Sequence, residues 1–130
     1  MNPYVAMIAV LVRDYAEAIA WYRDALGFAL HEDEDHCGAK RWVRMAPSGN
    51  AHFSLLLARA TTPAQEAAIG NQHGGRVGFF LHPDDFARDH ARLSAAGAHF
   101  EESPRHETYG TVVVFRDLYG NRWDLIERRQ

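Results

Sequence analysis

Positions 5–12, Val-Ala-Met-Ile-Ala-Val-Leu-Val, form an unbroken apolar run rich in β-branched residues that stops at Arg13 and Asp14. Such a run predicts a buried strand, and an Asp directly after it predicts the N-cap of a helix. Ala18, Ile19, Tyr22, Ala25 and Leu26 then recur at helical spacing while Glu17, Arg23 and Asp24 fall elsewhere, the pattern of an amphipathic helix. Gly27 is placed to end it. Three extended segments are expected next: residues 28–34, residues 41–46 before a turn at Pro47-Ser48-Gly49-Asn50, and residues 52–58.

Residues 59–75 are polar, rich in Ala and Gly and without a strand pattern, so they read as a connector in which Pro63 to Ile69 can form a turn or two of helix. From Arg76 the first order repeats. Val77 to Leu81 is apolar, Pro83-Asp84-Asp85 opens a helix, and Phe86, His90, Leu93 and Ala96 share a face before Gly97. Each terminal glycine is followed shortly by a strand-opening Phe, Phe28 and Phe100. Strands at 111–116 and 122–127 follow, joined by the turn Asp117-Leu118-Tyr119-Gly120-Asn121.

Preserved element order at a fixed offset indicates an internal duplication. The expected fold is α+β, two β-α-β-β-β modules at about 4–58 and 76–128 with the connector at about 59–75, in one domain of 130 residues. A curled four-stranded sheet leaves an edge and a concave face uncovered. The two mixed sheets are therefore expected to close around a cup.

Composition narrows the function. Acidic and basic residues are mixed along the chain, with a formal charge of −3, so no basic stripe offers itself to a nucleic acid. No apolar stretch approaches the roughly twenty residues of a membrane span, and no export signal opens the chain. The expected location is the cytoplasm. The single cysteine, Cys37, has no second Cys to pair with, and it reads as an incidental thiol in a loop. The eight histidines lack H-x-x-x-H or H-E-x-x-H spacing, and no G-x-S-x-G, G-x-G-x-x-G or Walker lysine motif is present. His31, His36, His73, His90, His99 and His106 are expected to be solvated or capping side chains.

Residues 12–28 (Val-Arg-Asp-Tyr through Leu-Gly-Phe), Arg-Trp-Val at 41–43, Asp84 to Gly97, Tyr109-Gly110 and Phe-Arg-Asp-Leu-Tyr-Gly-Asn-Arg-Trp-Asp-Leu at 115–125 carry a likeness to a known group. They resemble the vicinal oxygen chelate superfamily of glyoxalases, bleomycin-resistance proteins and extradiol dioxygenases. In its metal-dependent members, a divalent cation held by four strands chelates two neighbouring substrate oxygens and stabilises an oxyanion. Carried over position by position, the first ligand place falls on Met7 and the second on Ser54, with His52 one inward-facing step earlier. The third falls on Gly78 and the fourth on Asp124. A thioether is a poor ligand for a hard cation and Gly78 offers no side chain at all.

The resemblance therefore implies a small-molecule-binding protein with an incomplete metal site and no resident cofactor, working as a homodimer. Its ligand pocket is expected to be lined by Met7, His52, Ser54, Gly78, Phe80, His82, Arg105, Tyr109 and Asp124. Two other readings stay open. One is a metal-dependent lyase, isomerase or dioxygenase with Zn, Ni, Mn or Fe on relocated ligands drawn from His52, His82, Asp124 and Glu127. The other is a domain kept for contacts with a partner. Trp123 is expected on the helix side of its strand and Trp42 on either side, while Pro104 to Gly110 is expected as a loop that either carries binding chemistry or holds a local Arg105–Glu107 ion pair.

Overall fold

The computed structural model describes residues 2–36, 40–47 and 52–129. Cys37 and the turn at 48–50 lie outside them. The chain divides into two compact units, Met1–Ala67 and Ala68–Gln130, so the boundary falls inside the connector. The fold is α+β, with one mixed sheet of four strands and one of five.

The first unit runs β1 (Met7–Val12), α1 (Tyr15–Leu26), β2 (Phe28–His36), β3 (Lys40–Pro47), β4 (Ser54–Arg59) and α2 (Pro63–Ala68). Asp14 caps α1: its carboxylate accepts the Glu17 backbone N–H at 2.9 Å, satisfying a donor that the first helical turn leaves without a partner. Gly27 closes the helix at φ 69°, a left-handed conformation that costs a residue with a Cβ. The strands lie in the order β1-β4-β3-β2, with β1 and β4 parallel and the other pairs antiparallel.

Helix α1 packs Ala18, Tyr22, Ala25 and Leu26 against β2, β3 and β4. Opposite them lie Val10, Val12, Val43, Met45, Leu55 and Leu57, all essentially buried, each worth roughly 1.5–3 kcal/mol in removing apolar surface from water. Tyr22 is fully buried and stacks on Phe28 with ring centres 5.9 Å apart. Strand β4 begins two residues later than the sequence suggests, so His52 is exposed before the strand and takes no place on its inner face.

The second unit runs β5 (Val77–Leu81), α3 (Phe86–Ala95), β6 (His99–Phe100), β7 (Arg105–Glu107), β8 (Gly110–Arg116) and β9 (Arg122–Arg128). Asp85 caps α3 by accepting the Arg88 N–H at 3.0 Å. The sheet order is β5-β9-β8-β6, and β7 also pairs with β8. The outer strand that β2 makes in one piece is thus made here in two, His99–Phe100 against Phe115 and Arg116, then Arg105–Glu107 against residues 110–112. The expected loop at 104–110 therefore contains a short strand. Three polar residues give no alternation to reveal it.

Trp123 faces the helix layer, its ring stacked between Phe79 at 4.5 Å and Phe115 at 5.8 Å. His90 packs its ring on Phe100 at 4.3 Å, so one of the expected surface histidines is part of the packing around α3.

Candidate functional site

Side chains alternate across a strand, so the face of the first sheet away from α1 can be read from the register. Met7 lies opposite Ser54, and Ala46 opposite Ala29. Ala9 and Arg44 both flank Leu56, and Arg44 in turn faces Glu32. Leu11 faces Ala58, and Trp42 faces Glu34. The face grades from small residues at the Met7 end, through an ion pair, to an aromatic end.

The ion pair is tight. Arg44 Nε donates to Glu32 Oε1 at 2.6 Å, and the Trp42 indole N–H donates to the same oxygen at 3.3 Å. The Arg44 hydrogen bond, followed by that of Trp42, holds the Glu32 carboxyl below its ordinary range. Trp42 is thereby fixed in orientation.

Beside it opens a cleft of about 830 Å³ lined by Leu11, Trp42, Leu56, Ala58 and the rim residues Tyr15 and Arg59, among others. The Tyr15 hydroxyl accepts the Arg59 backbone N–H at 3.3 Å and donates to the Arg41 carbonyl at 3.5 Å, which ties the ends of β3 and β4 to the start of α1. The Arg41 guanidinium lies 5.0 Å over the Tyr15 ring and makes two hydrogen bonds to Asp33, at 2.8 and 2.7 Å. A volume in this range, mostly apolar walls and a few fixed polar groups are the usual make-up of a small-molecule site.

Sequence reasoning left the side of Trp42 undecided and did not consider Tyr15 or Arg59. A usable signal was present: Val43 and Met45 alternate as core residues, which puts Trp42 and Arg44 together on the other face.

In the second unit, Asp124 lies between Phe80 on β5 and Val114 on β8. Burial pushes its carboxyl up, against the pull of the Arg105 charge. Phe80 is 62% exposed. His82, also exposed, engages the Ile126 carbonyl through Nδ1 at 3.0 Å. Arg105 is bound by Glu102 at 2.8 Å and by Glu107 at 3.1 Å, so an ion pair with Glu107 is present and is the longer of two. Tyr109 is exposed in the turn before β8.

Gly78 is closely surrounded. It sits at an irregularity in the β5–β9 ladder, between Val77 opposite Arg122 and Phe79 opposite Trp123. A Cβ there would collide with the His73 ring, which also meets Phe79 edge-on at 5.0 Å. The space directly beside Gly78 is occupied by the His73 ring of the connector. Beyond the irregularity Phe80 stands opposite Asp124. Among the described residues, no three His, Cys, Asp or Glu side chains gather as a cation-holding group. No helix among them is long and apolar enough to cross a membrane.

Comparison with known proteins agrees with this architecture. An uncharacterised protein of Shewanella frigidimarina (strain NCIMB 400) is 49% identical over 128 residues, covering 98% of this chain and 95% of that protein. TnmS3, described as an antibiotic binding protein from Streptomyces sp. CB03234, superposes with a TM-score of 0.80 at 28% identity, covering 98% of each chain. A glyoxalase/bleomycin resistance protein from the same Streptomyces superposes with a TM-score of 0.73 at 29% identity, covering 95% of this chain and all of that one. A family model matches residues 4–125, and with it the chain belongs to the Glyoxalase/Bleomycin resistance protein/Dioxygenase superfamily.

Proposed function

We propose that this protein binds a small organic molecule with a flat aromatic portion and an acidic group, and that the Trp42 cleft of the first unit receives it. The observation that carries this reading is the cleft of about 830 Å³ in which Trp42, Leu11, Leu56 and Ala58 form an apolar wall with arginines at the rim. A fixed indole offers a stacking surface at little entropic cost. The Arg59 side chain makes no hydrogen bond or ion pair among the described residues, which leaves its guanidinium for a ligand carboxylate or sulfonate. The description of the structurally similar TnmS3 as an antibiotic binding protein supports a small-molecule ligand.

The reading takes the ligand without a resident cation. The places where the family likeness asks for ligands carry a thioether at Met7, a hydroxyl at Ser54, no side chain at Gly78 and one carboxylate at Asp124. That donor set does not fit a hard divalent ion. Met7, Phe80, His82, Arg105, Tyr109 and Asp124 then serve as secondary lining of the two open sheet faces, while Ser54, only 3% exposed, lies beneath the surface.

The protein is further read as a cytoplasmic homodimer. Strands β1 and β5 are edge strands of their sheets and expose Ile8 and Phe80, apolar surface that a second copy would cover.

The test uses 8-anilinonaphthalene-1-sulfonate, an aromatic anion, titrated against the intact chain while tryptophan emission is followed. Saturable quenching that is lost in Trp42→Ala and weakened in Arg59→Gln is expected. Equal binding by parent and both variants would place the ligand elsewhere.

A further inference from the structure

A second cleft, of about 360 Å³, lies wholly in the C-terminal unit. One wall is the loop 70–76, the other is the β8–β9 turn, and the floor carries Glu101, Arg116 and Arg122. The walls meet closely: a Cβ at Gly70 would collide with the Tyr119 carbonyl, so the loop needs a glycine there, at φ 75°.

The charged groups in this cleft fall into two sets. Glu101 is fully engaged: it accepts Arg122 Nε at 2.8 Å and Nη2 at 2.8 Å, and Arg116 Nε at 3.0 Å. Arg122 is held on its third nitrogen too, with Nη1 donating to the Gly75 carbonyl at 3.0 Å. Arg122 and Glu101 thus form a rigid strut that fixes the loop 70–76 against the floor. The second set is uncommitted. The Arg116 terminal nitrogens and the whole Arg76 guanidinium have no hydrogen-bond or ion-pair partner among the described residues. Three arginines against one glutamate leave the concavity with excess positive charge, and the one acid present is neutralised where it stands.

We propose that this cleft is an oxyanion-binding site that takes the phosphate or carboxylate group of a small molecule, with Arg76 and Arg116 as its donors and Arg122 as a positioning residue. Guanidinium forks suit both oxyanions because each presents paired oxygens to parallel N–H groups. A concave setting focuses the field and raises the local anion concentration. The site is separate from the Trp42 cleft and does not rest on the function assigned to it.

Isothermal titration of the full chain with inorganic phosphate, and in parallel with succinate, at ionic strength held constant with sodium chloride, tests this directly. Saturable binding of at least one of them is expected, weakened about tenfold in Arg76→Gln and in Arg116→Gln. Tighter phosphate binding would identify a phosphate ester as the natural group, and tighter succinate binding a carboxylate. Arg76 holds no other part of the protein in place, so loss of folding cannot mask its variant, and far-ultraviolet circular dichroism verifies both. The proposal is overturned if neither anion binds saturably above the chloride background, or if both variants bind as the parent does.

Discussion

The Asp117 carboxylate, inside the β8–β9 turn, accepts the Trp123 indole N–H at 3.0 Å. The same side chain accepts the backbone N–H groups of Tyr119 and Asn121, both at 3.0 Å, and the Asn121 amide at 2.9 Å. Asp117 is 6% exposed and Trp123 3% exposed, so these bonds are made away from water, where an unmet donor is costly. One carboxylate therefore shapes the turn and orients the ring that Phe79 and Phe115 enclose. Asp117→Ala is expected to destabilise the protein by roughly 2–4 kcal/mol, and Asp117→Asn by less, because the amide keeps one acceptor. Urea unfolding followed by near-ultraviolet circular dichroism, which reports the Trp123 environment, measures both.

A second expectation concerns Tyr22, fully buried under α1 and stacked on Phe28. Truncation to Ala leaves a cavity that the close-packed sheet cannot collapse into, at a cost of roughly 3–5 kcal/mol. Denaturant melts of Tyr22→Ala and Tyr22→Phe separate the packing from the hydroxyl, and near-parent stability in Tyr22→Ala would refute the packing account.

The carboxylates should give a distinctive acid limb. Arg122, bonded to Glu101, holds that carboxyl below its ordinary range, and Arg41 does the same for Asp33. Each native pKa is depressed, so the stabilisation is present above the ordinary value of about 4 and is lost as pH falls through the native value. The gap in urea midpoint between the parent and Glu101→Gln should therefore be widest near neutrality and close at strongly acid pH.

Asp124 should run the other way. Burial raises its native pKa, so its ionised form opposes folding above that value and the opposition fades as pH drops toward the unfolded value. Asp124→Asn should raise the midpoint at pH 7 and give no advantage below about pH 4. A loss of stability at pH 7 would mean that the attraction to Arg105 outweighs burial.

Gly78 and His73 should prove coupled. Gly78→Ala pushes a methyl group into the His73 ring and is expected to cost on the order of 1–2 kcal/mol. The same change made in a His73→Ala background should cost much less, and additive effects in the double-mutant cycle would show that the ring swings away freely.

Much of the architecture was legible because it rests on local rules. Asp14, Gly27 and Asp85 each act on backbone groups within a few residues, so the helix ends can be read from the chain. The two-copy order follows from those boundaries. What stayed hidden depends on contacts between distant positions. The broken outer strand of the second sheet, with β7 built from Arg105, His106 and Glu107, has no apolar pattern and exists through its pairing with β8. The ladder irregularity beside Gly78 likewise exists only through the pairing of β5 with β9. The side of Trp42 was inferable from Val43 and Met45, whereas the anchoring of its indole by Glu32 needed the β2–β3 register.

The parallel pairing of β1 with β4, and of β5 with β9, bears on the order in which the chain acquires structure during synthesis. In each unit the first strand made finds its neighbour only after roughly 45 further residues have been added, a loop whose closure is slow compared with forming a helix or a hairpin. Val10 and Val12, buried in the finished sheet, must emerge from the ribosome and wait with their apolar side chains and backbone groups exposed. The nascent segment most vulnerable to premature aggregation is therefore the first strand of each unit, and a slowing of translation once Arg59 has cleared the ribosomal exit tunnel would give the first of them time to be covered.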